Sequence, residues 1–300
     1  MIRNETQSSI AGPATFGMAA MLLWGSYPLW YHAVAHVPVF ELLLHRVIWS
    51  SMFIVPLTYL VFTKKDEVRR IVQSRKTLGL VVLSALVLSV WWLSYTYAVV
   101  SGHVLDASLG YFISPLLTVG SGVLIFKEKA TSTTHVSIAL SLVGVGYYVA
   151  VRGSLPIVAL ALAVCYTGYT ILRKINKKAD SQSATMVENL LLLPLAIGAA
   201  VYLAGSGQLV SYQSTSTEDA VLFVALGVIN VLPMWWYGIS TKGLSLLSIS
   251  FLQYIPPTCN FLLAAFVFKE NLDSSKVVMF SFVWAGIGLY LAQIYARSKK

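Results

Sequence analysis

The chain has little charge and little cysteine for its length. Only 11% of its 300 residues are charged and 57% are hydrophobic, whereas a soluble domain carries about a quarter charged residues. Both cysteines, Cys165 and Cys259, lie in apolar stretches, which argues against a disulfide framework or a zinc cluster. A P-loop and an H-E-x-x-H motif are both missing, so neither direct use of ATP nor intramembrane zinc catalysis is expected. No cofactor or metal is predicted, and the composition indicates a protein embedded in a bilayer.

Apolar segments of membrane-spanning length follow one another along the whole chain. Each is close to the roughly 20 residues that a helix needs to cross a bilayer. The ten predicted transmembrane helices are 12–35, 38–62, 77–100, 104–126, 133–151, 154–173, 185–204, 219–241, 244–268 and 274–296. The polar ends 1–11 and 297–300 are predicted to be cytoplasmic tails. The first segment is too long for a signal peptide and is expected to be retained.

The positive charges fall on one side of this predicted topology. Of the 21 Lys and Arg residues, 17 lie on the side of the N-terminus and three on the other, and Arg46 lies within the second segment. An excess of Lys and Arg marks the cytoplasmic side, so both termini are predicted to be cytoplasmic. The net charge of +9 is explained by this placement, and no nucleic-acid partner is expected.

A short signature occurs twice, 142 residues apart. Phe126-Lys127-Glu128 recurs as Phe268-Lys269-Glu270, and Gly144-Val145-Gly146-Tyr147-Tyr148 falls on Gly286-Ile287-Gly288-Leu289-Tyr290. The same register predicts two five-helix copies, 12–151 and 154–296. Because five is odd, the second copy must enter the membrane upside down. Inverted repeats are typical of carriers that expose one site to each side in turn. The four glycines are predicted to serve helix packing.

Three ionisable residues lie close together in the second segment, where each costs several kcal/mol unless it is paired or faces a cavity. Glu41 and His45 are four residues apart and share a helix face, and Arg46 follows. One interpretation is a substrate site, with Arg46 as an anion anchor and with Glu41 and His45 as proton carriers. The alternative is an ion pair near the external interface. This cluster has no counterpart in the second half, where 183, 187 and 188 hold Ser183, Val187 and Glu188, so the charged chemistry is predicted to be concentrated in the first half. Glu188 either lines the cavity or lies at the cytoplasmic interface.

Aromatic side chains form a second group of candidates. Trp24, Tyr27 and Tyr31 follow one face of the first helix, as expected for a cavity that takes a flat, amphipathic or cationic ligand. The alternative is an interfacial aromatic belt. The further candidates for the cavity are Trp92, Tyr95, Tyr111, Trp236, Gln253 and Tyr254.

Prolines within the apolar segments predict helix breaks that could act as hinges. Pro28 is expected to kink the first helix. Pro115 and the pair Pro256-Pro257 are expected to interrupt the fourth and ninth helices at equivalent depth, which frees backbone carbonyls to line a cavity.

Five stretches together carry a family resemblance. They are WGSYPL at 24–29, ELLLHRVIWS at 41–50, SGHVLDASLGYFISPL at 101–116, YTILRK at 169–174 and LQYIPPTCNF at 252–261. From about residue 16 to 295 the chain resembles RarD-type proteins of the EamA group in the drug/metabolite transporter superfamily. The resemblance implies a ten-helix inverted-repeat carrier in a bacterial inner membrane that exports small metabolites, amino acids or drugs.

The predicted function is therefore a secondary-active exporter of a small amino acid-like or amphipathic molecule, with protons as the coupling ion. The alternatives are a uniporter or facilitator, an uptake permease, a channel, or a receptor or scaffold that transports nothing. The expected partners are a small-molecule substrate, protons and the lipid bilayer. A monomer is consistent with the sequence.

Overall fold

A computed structural model of the chain describes residues 3–34, 36–61, 63–100, 104–153, 157–209, 216–267, 269 and 274–298. Across these ranges all regular structure is helical, which confirms the predicted all-α class. The helices are α1 (Arg3–Gly25), α2 (Tyr27–Ala33), α3 (Val39–Pro56), α4 (Lys65–Gln73), α5 (Arg75–Val100), α6 (Val104–Leu124), α7 (Ser132–Arg152), α8 (Ile157–Ile175), α9 (Ser181–Gly205), α10 (Thr217–Gly243), α11 (Leu246–Leu252), α12 (Ile255–Leu262) and α13 (Ser274–Ser298). Short π-helical turns, Leu57–Val61 and Leu263–Val267, extend α3 and α12.

Within the described ranges, six helical stretches are long and apolar enough to cross a membrane. They are Phe40–Leu60, Arg75–Ser94, Ser132–Val151, Ser181–Gly205, Thr217–Gly243 and Leu246–Val267. Many of their large apolar side chains are exposed on the outer surface of the helices, where water would be a poor solvent for them. The protein is therefore a multi-pass membrane protein.

Two of the three predicted helix breaks are present. The first helical segment divides at Ser26, between α1 and α2, two residues before Pro28. The ninth divides between α11 and α12, and Pro256 and Pro257 stand in the first turn of α12, where the missing proline N–H groups cost no hydrogen bond.

The predicted break at Pro115 is wrong, because α6 runs through it without interruption. Hydroxyl groups support the backbone around this proline: Ser114 Oγ donates to the Gly110 carbonyl at 2.7 Å and Thr118 Oγ1 donates to the Ser114 carbonyl at 2.9 Å. Such side-chain bonds are one way in which a membrane helix tolerates an internal proline.

The chain forms two compact units, and each takes helices from both halves of the sequence. The first unit comprises residues 1–96 and 168–244, and the second comprises 97–167 and 245–300. The packing units thus differ from the sequence copies 12–151 and 154–296, whose boundaries remain a prediction.

The 142-residue register is visible in the backbone. Helices α3 and α9 begin at Val39 and Ser181, and α5 and α10 begin at Arg75 and Thr217, so both pairs of starts are separated by the same interval. Lys127 and Lys269 repeat a rarer feature, since both have left-handed backbone, with φ of 52° and 51°. Lysine seldom adopts this conformation, so its recurrence at one register indicates two copies of one local fold.

Helices α7 and α13 of the second unit pack through a contact that occurs twice. A Cβ atom on Gly144 would lie 2.9 Å from the Met279 carbonyl oxygen, and one on Gly286 would lie 2.7 Å from the Ser137 carbonyl oxygen. In the 142 register Ser137 corresponds to Met279 and Gly144 to Gly286, so the two contacts join the same pair of register positions with the two helices exchanged. Residue numbers increase along α7 in the direction in which they decrease along α13, so the two helices are antiparallel.

The equivalent glycines two residues further along each helix give a matched comparison. A Cβ atom added to Gly146 or Gly288 would meet no neighbouring atom within 4 Å. We expect Gly144→Ala and Gly286→Ala each to lower the free energy of unfolding by about 1–3 kcal/mol, because the new methyl group overpacks a backbone contact. Gly146→Ala and Gly288→Ala gain the same helix propensity without a clash. Thermal unfolding of the four purified variants in detergent measures the difference, and equal stabilities in both pairs would contradict the packing.

Candidate functional site

Arg46 lies in the interior of the first unit, on the eighth residue of α3. Only 7% of its surface is exposed. Its Nε atom donates to Asn230 Oδ1 of α10, and Asn230 Nδ2 donates to Ser50 Oγ at 2.8 Å. Ser50 Oγ in turn donates to the Gly227 carbonyl at 3.0 Å. This chain of hydrogen bonds, which fixes the guanidinium against α10, needs the close approach that Gly227 allows beside Trp49.

Two aromatic rings complete the surroundings of the Arg46 guanidinium. Its central carbon lies 4.4 Å from the centroid of the Trp92 ring and 5.6 Å from that of Tyr27, both within the range of cation–π attraction. The Tyr27 hydroxyl donates to the Ile229 carbonyl at 3.0 Å, which holds its ring in place. The structure thus brings together three of the predicted residues, Arg46, Trp92 and Tyr27, and we call them with Asn230 and Ser50 the Arg46 cluster.

Arg46 has no acidic partner within ion-pair distance among the residues that the structure describes. An amide oxygen and two aromatic faces stabilise its charge only in part, and a buried cation without a counter-charge is costly. The arrangement therefore suits an anionic ligand that would complete the pairing of the guanidinium.

Glu41 and His45 lie on the same helix as Arg46 but have different surroundings. Glu41 is buried in the first turn of α3. The half-buried imidazole of His45 stacks on Phe223, with ring centroids 4.2 Å apart and planes at 4°. Both residues belong to the first unit.

The other predicted aromatic residues of the first unit make ring contacts close to α10. Trp24 packs at 5.3 Å from Tyr237, and Trp236 at 6.4 Å from Phe16. The side chains of Tyr31 and Tyr95 lie outside the described part of the chain. Trp24 and Trp236 thus both belong to the contact between α1 and α10.

Three predicted cavity residues belong to the second unit. Gln253 and Tyr254 are buried at the break between α11 and α12, and Tyr254 is part of an apolar cluster with Phe112, Tyr148 and Phe280. Tyr111 is half-buried on α6. The packing of Tyr254 favours a structural role for its ring.

A second charged cluster, centred on Glu188, lies elsewhere in the first unit. Glu188 is fully buried. Arg173 Nη1 donates to both of its carboxylate oxygens at 3.2 Å, Ser84 Oγ donates at 2.5 Å and the Tyr169 hydroxyl at 3.3 Å. Arg173 Nη2 also donates to the Ser181 carbonyl at 2.9 Å. The charges of this cluster are paired and its carboxylate is well supplied with donors, so it is suited to hold α5, α8 and α9 together.

A small cavity adjoins this pair. It is lined by Val81, Ser84, Leu172, Arg173, Asn176, Ala179, Ala184, Glu188 and Lys242. Asn176 Nδ2 donates to the Thr77 carbonyl at 3.2 Å, and Gly238 leaves room for the Arg173 guanidinium, which a side chain there would meet. Polar groups from four helices therefore converge at this end of the first unit.

The two clusters occupy equivalent positions in the two copies. Arg46 corresponds to Glu188, and Tyr27 corresponds to Tyr169, each 142 residues later. In both copies the tyrosine of one helix lies against the charged residue of the next. Contrary to the prediction that the charged chemistry is concentrated in the first half, the second half carries a buried charged cluster of its own, because Glu188 pairs with Arg173.

Several residues of these clusters were missed by sequence reasoning. The charge distribution assigns Arg173 and Lys242 to the cytoplasmic side. Asn230, Ser50 and Ser84 are not among the predicted site residues. Two sequence features point to these residues. The 142 register pairs position 46 with position 188, and a polar residue within an apolar span, such as Asn230, is unusual.

Comparison with known proteins agrees with the architecture. The family model of the EamA-like transporters matches residues 13–150. Protein RarD of Salmonella typhimurium is 35% identical over 288 residues, which cover 94% of this chain and 96% of that protein. An uncharacterized transporter of Pseudomonas aeruginosa is 34% identical over 275 residues, 91% of each chain. One solved crystal structure shares the fold with a TM-score of 0.70 at 17% identity, over 93% of this chain and 97% of that one.

The all-helical apolar fold defines a multi-pass membrane protein, and relatives that match almost the whole chain place it in the transporter class. The chain belongs to the EamA-like transporter family of the drug/metabolite transporter superfamily and is of the RarD type.

The two clusters should respond differently to loss of one charge. Glu188→Gln leaves Arg173 buried without a counter-charge, and we expect it to lower the free energy of unfolding by about 3–5 kcal/mol. The double change Glu188→Leu with Arg173→Met removes both charges and should recover most of the loss.

Arg46→Met is the matched comparison, since Arg46 has no acidic partner in the described structure. It should cost no more than about 1–2 kcal/mol, chiefly from the hydrogen bond with Asn230. Unfolding of the purified variants without added ligand tests both expectations. An Arg46→Met variant as unstable as Glu188→Gln would show that Arg46 has a structural partner.

Proposed function

We propose that the protein is a secondary-active transporter that works by alternating access, with ten transmembrane helices arranged as two inverted five-helix repeats. The observation that carries this proposal is the contact of α7 with α13, which occurs twice with the two helices exchanged. Equivalent helices that pack antiparallel through equivalent residues are expected only if the second copy is inverted. In such a carrier each half can adopt the conformation of the other, which opens one site to either side.

The Arg46 cluster is the proposed substrate site. Its buried cation between Trp92 and Tyr27 fits a molecule with a carboxylate or similar anionic group and a flat apolar part. An amino acid-like or amphipathic metabolite has this chemistry. Glu41 and His45, on the same helix, are the proposed proton carriers. The proposed direction of transport is export, and the proposed driving force is the proton gradient.

The proposed location is a bacterial inner membrane, with both termini in the cytoplasm. The distribution of 17 against three basic residues supports this orientation, and the relatives named above are bacterial.

Cysteine labelling tests the inverted topology without any knowledge of the substrate. Lys127 and Lys269 are equivalent, exposed and outside the long apolar stretches. In a chain whose Cys165 and Cys259 are replaced by serine, Lys127→Cys should react with a membrane-impermeant maleimide only from the cytoplasm, and Lys269→Cys only from outside. Labelling of both from the same side would rule out inverted repeats.

Transport itself is tested in proteoliposomes. A thermal-shift screen of amino acids, nucleosides and amphipathic drugs supplies the substrate, and chloramphenicol belongs in it because a Pseudomonas aeruginosa relative at 27% identity is named chloramphenicol-sensitive protein RarD. A carrier shows saturable flux and counterflow, whereas a channel shows neither.

We expect Arg46→Gln to weaken binding and counterflow of a carboxylate-bearing substrate by about tenfold to 100-fold, since a hydrogen bond to a charged group is worth about 1.5–3 kcal/mol. Arg46→Lys keeps the charge and should retain part of the activity. Wild-type flux in Arg46→Gln, with the variant correctly inserted, would exclude the Arg46 cluster as the substrate site.

A further inference from the structure

Helix α4 was not predicted, because the segment 63–76 contains many charges and few apolar residues. In the structure it occupies Lys65–Gln73, between the apolar stretches Phe40–Leu60 and Arg75–Ser94. A single residue, Ser74, separates it from α5, and residues 61–64 connect it to the preceding stretch. An extended chain spans at most about 3.6 Å per residue, so α4 lies within a few residues of the membrane surface at both ends.

One face of α4 fastens it to the first unit. Val68 and Ile71 are buried and join an apolar cluster with Ile54, Ala184 and Met186. The ammonium group of Lys64, just before the helix, lies 3.7 Å from an Asp180 carboxylate oxygen. The helix is therefore held in a fixed orientation on the unit, and its remaining faces point away from this core.

An outer face of α4 combines positive charge with an exposed apolar side chain. Lys65, Arg69 and Val72 follow one another at spacings of four and three residues, so they share a helix face. All three are exposed, and 53% of the Val72 surface is accessible. Arg75 and Lys76 are exposed at the start of α5. We call these five residues the α4 basic face.

The charges of this face are not neutralised within the described part of the protein. Lys65 and Arg69 make no ion pair there, whereas Arg70, on the opposite flank, pairs with Glu67 at 2.7 Å. Asp66 is the nearest exposed acid in the sequence. The α4 basic face therefore presents four exposed cations and one exposed aliphatic side chain beside the ends of two membrane-length apolar stretches.

We propose that the α4 basic face binds anionic phospholipid headgroups, with the phosphate group between Lys65 and Arg69 and with Val72 in contact with the glycerol and upper acyl region. A helix with a basic flank and an exposed apolar residue lies naturally at this boundary. Basic residues beside a membrane span are attracted to anionic lipid. A soluble phosphate compound satisfies only the cations, and an acidic protein leaves Val72 without its apolar surroundings. The proposal does not depend on what the protein transports.

The test uses the purified full chain in phosphatidylcholine-containing micelles, titrated with phosphatidylglycerol while thermal unfolding is followed. Wild-type protein should be stabilised, and added salt should weaken the response because it screens surface charge. The double change Lys65→Gln with Arg69→Gln should raise the half-saturating lipid concentration about 30-fold, or about fivefold for each basic residue removed.

The matched control is Lys177→Gln with Lys178→Gln, which removes two exposed charges from the turn after α8 and should change the half-saturating concentration by less than about twofold. Lys65→Arg with Arg69→Lys keeps both charges and should behave as wild type. Equal responses in the two Gln pairs would overturn the proposal.

Two further measurements distinguish binding of a lipid headgroup from binding of a soluble phosphate. Val72→Ser should weaken the response to phosphatidylglycerol, and glycerol phosphate without acyl chains should give no comparable stabilisation. Equal stabilisation by glycerol phosphate would assign the cations to a soluble anion instead. If the Gln pair unfolds too early for titration, native mass spectrometry of the folded fraction counts the retained phosphatidylglycerol, and undiminished retention counts against the proposal.

Discussion

The cost of an unpaired charge inside an apolar fold is the constraint on which the organisation of the first unit depends. Glu188 and Arg173 neutralise each other within the protein. The carboxylate accepts hydrogen bonds from α5 and α8, and the guanidinium also donates to α9. The charge of Arg46 is stabilised only in part, by an amide oxygen and two aromatic rings. One cluster thus stabilises the fold as it stands, and under the proposed function the other receives part of its electrostatic stabilisation from the bound substrate.

Much of the fold was predictable because lipid imposes simple rules on a sequence. Span length, the placement of Lys and Arg, and the interval between Phe126-Lys127-Glu128 and Phe268-Lys269-Glu270 together predicted helical segments that the described structure contains. Helix α4 was missed because Val68 and Ile71 alone form its apolar side, and a window of transmembrane length averages them with their charged neighbours. The break at Pro115 was predicted wrongly because the compensating hydroxyl groups depend on three-dimensional geometry.

The candidate site was predictable in part, for a related reason. Arg46, Trp92 and Tyr27 stand out in sequence because charge and aromatic groups in apolar spans are unusual, but the partners that fix Arg46 come from a helix about 180 residues away. Asn230 attracts no notice until α3 and α10 are seen to touch at Gly227. Glu188 was noticed, yet its pairing with Arg173 required the fold, since the sequence places them 15 residues apart on different helices.

The contact of Gly144 with Met279 and of Gly286 with Ser137 has a consequence for the origin of the molecule. In this contact both helices use the same two register positions, as the two identical subunits of a symmetric dimer do. If the second copy is inverted as proposed, a single five-helix copy carries a surface that recognises an upside-down copy of itself. Under the proposed inverted topology, the present chain is the covalently joined form of such an antiparallel homodimer. In a joined chain position 46 can be arginine while position 188 is glutamate, a division of labour that two identical subunits could not achieve.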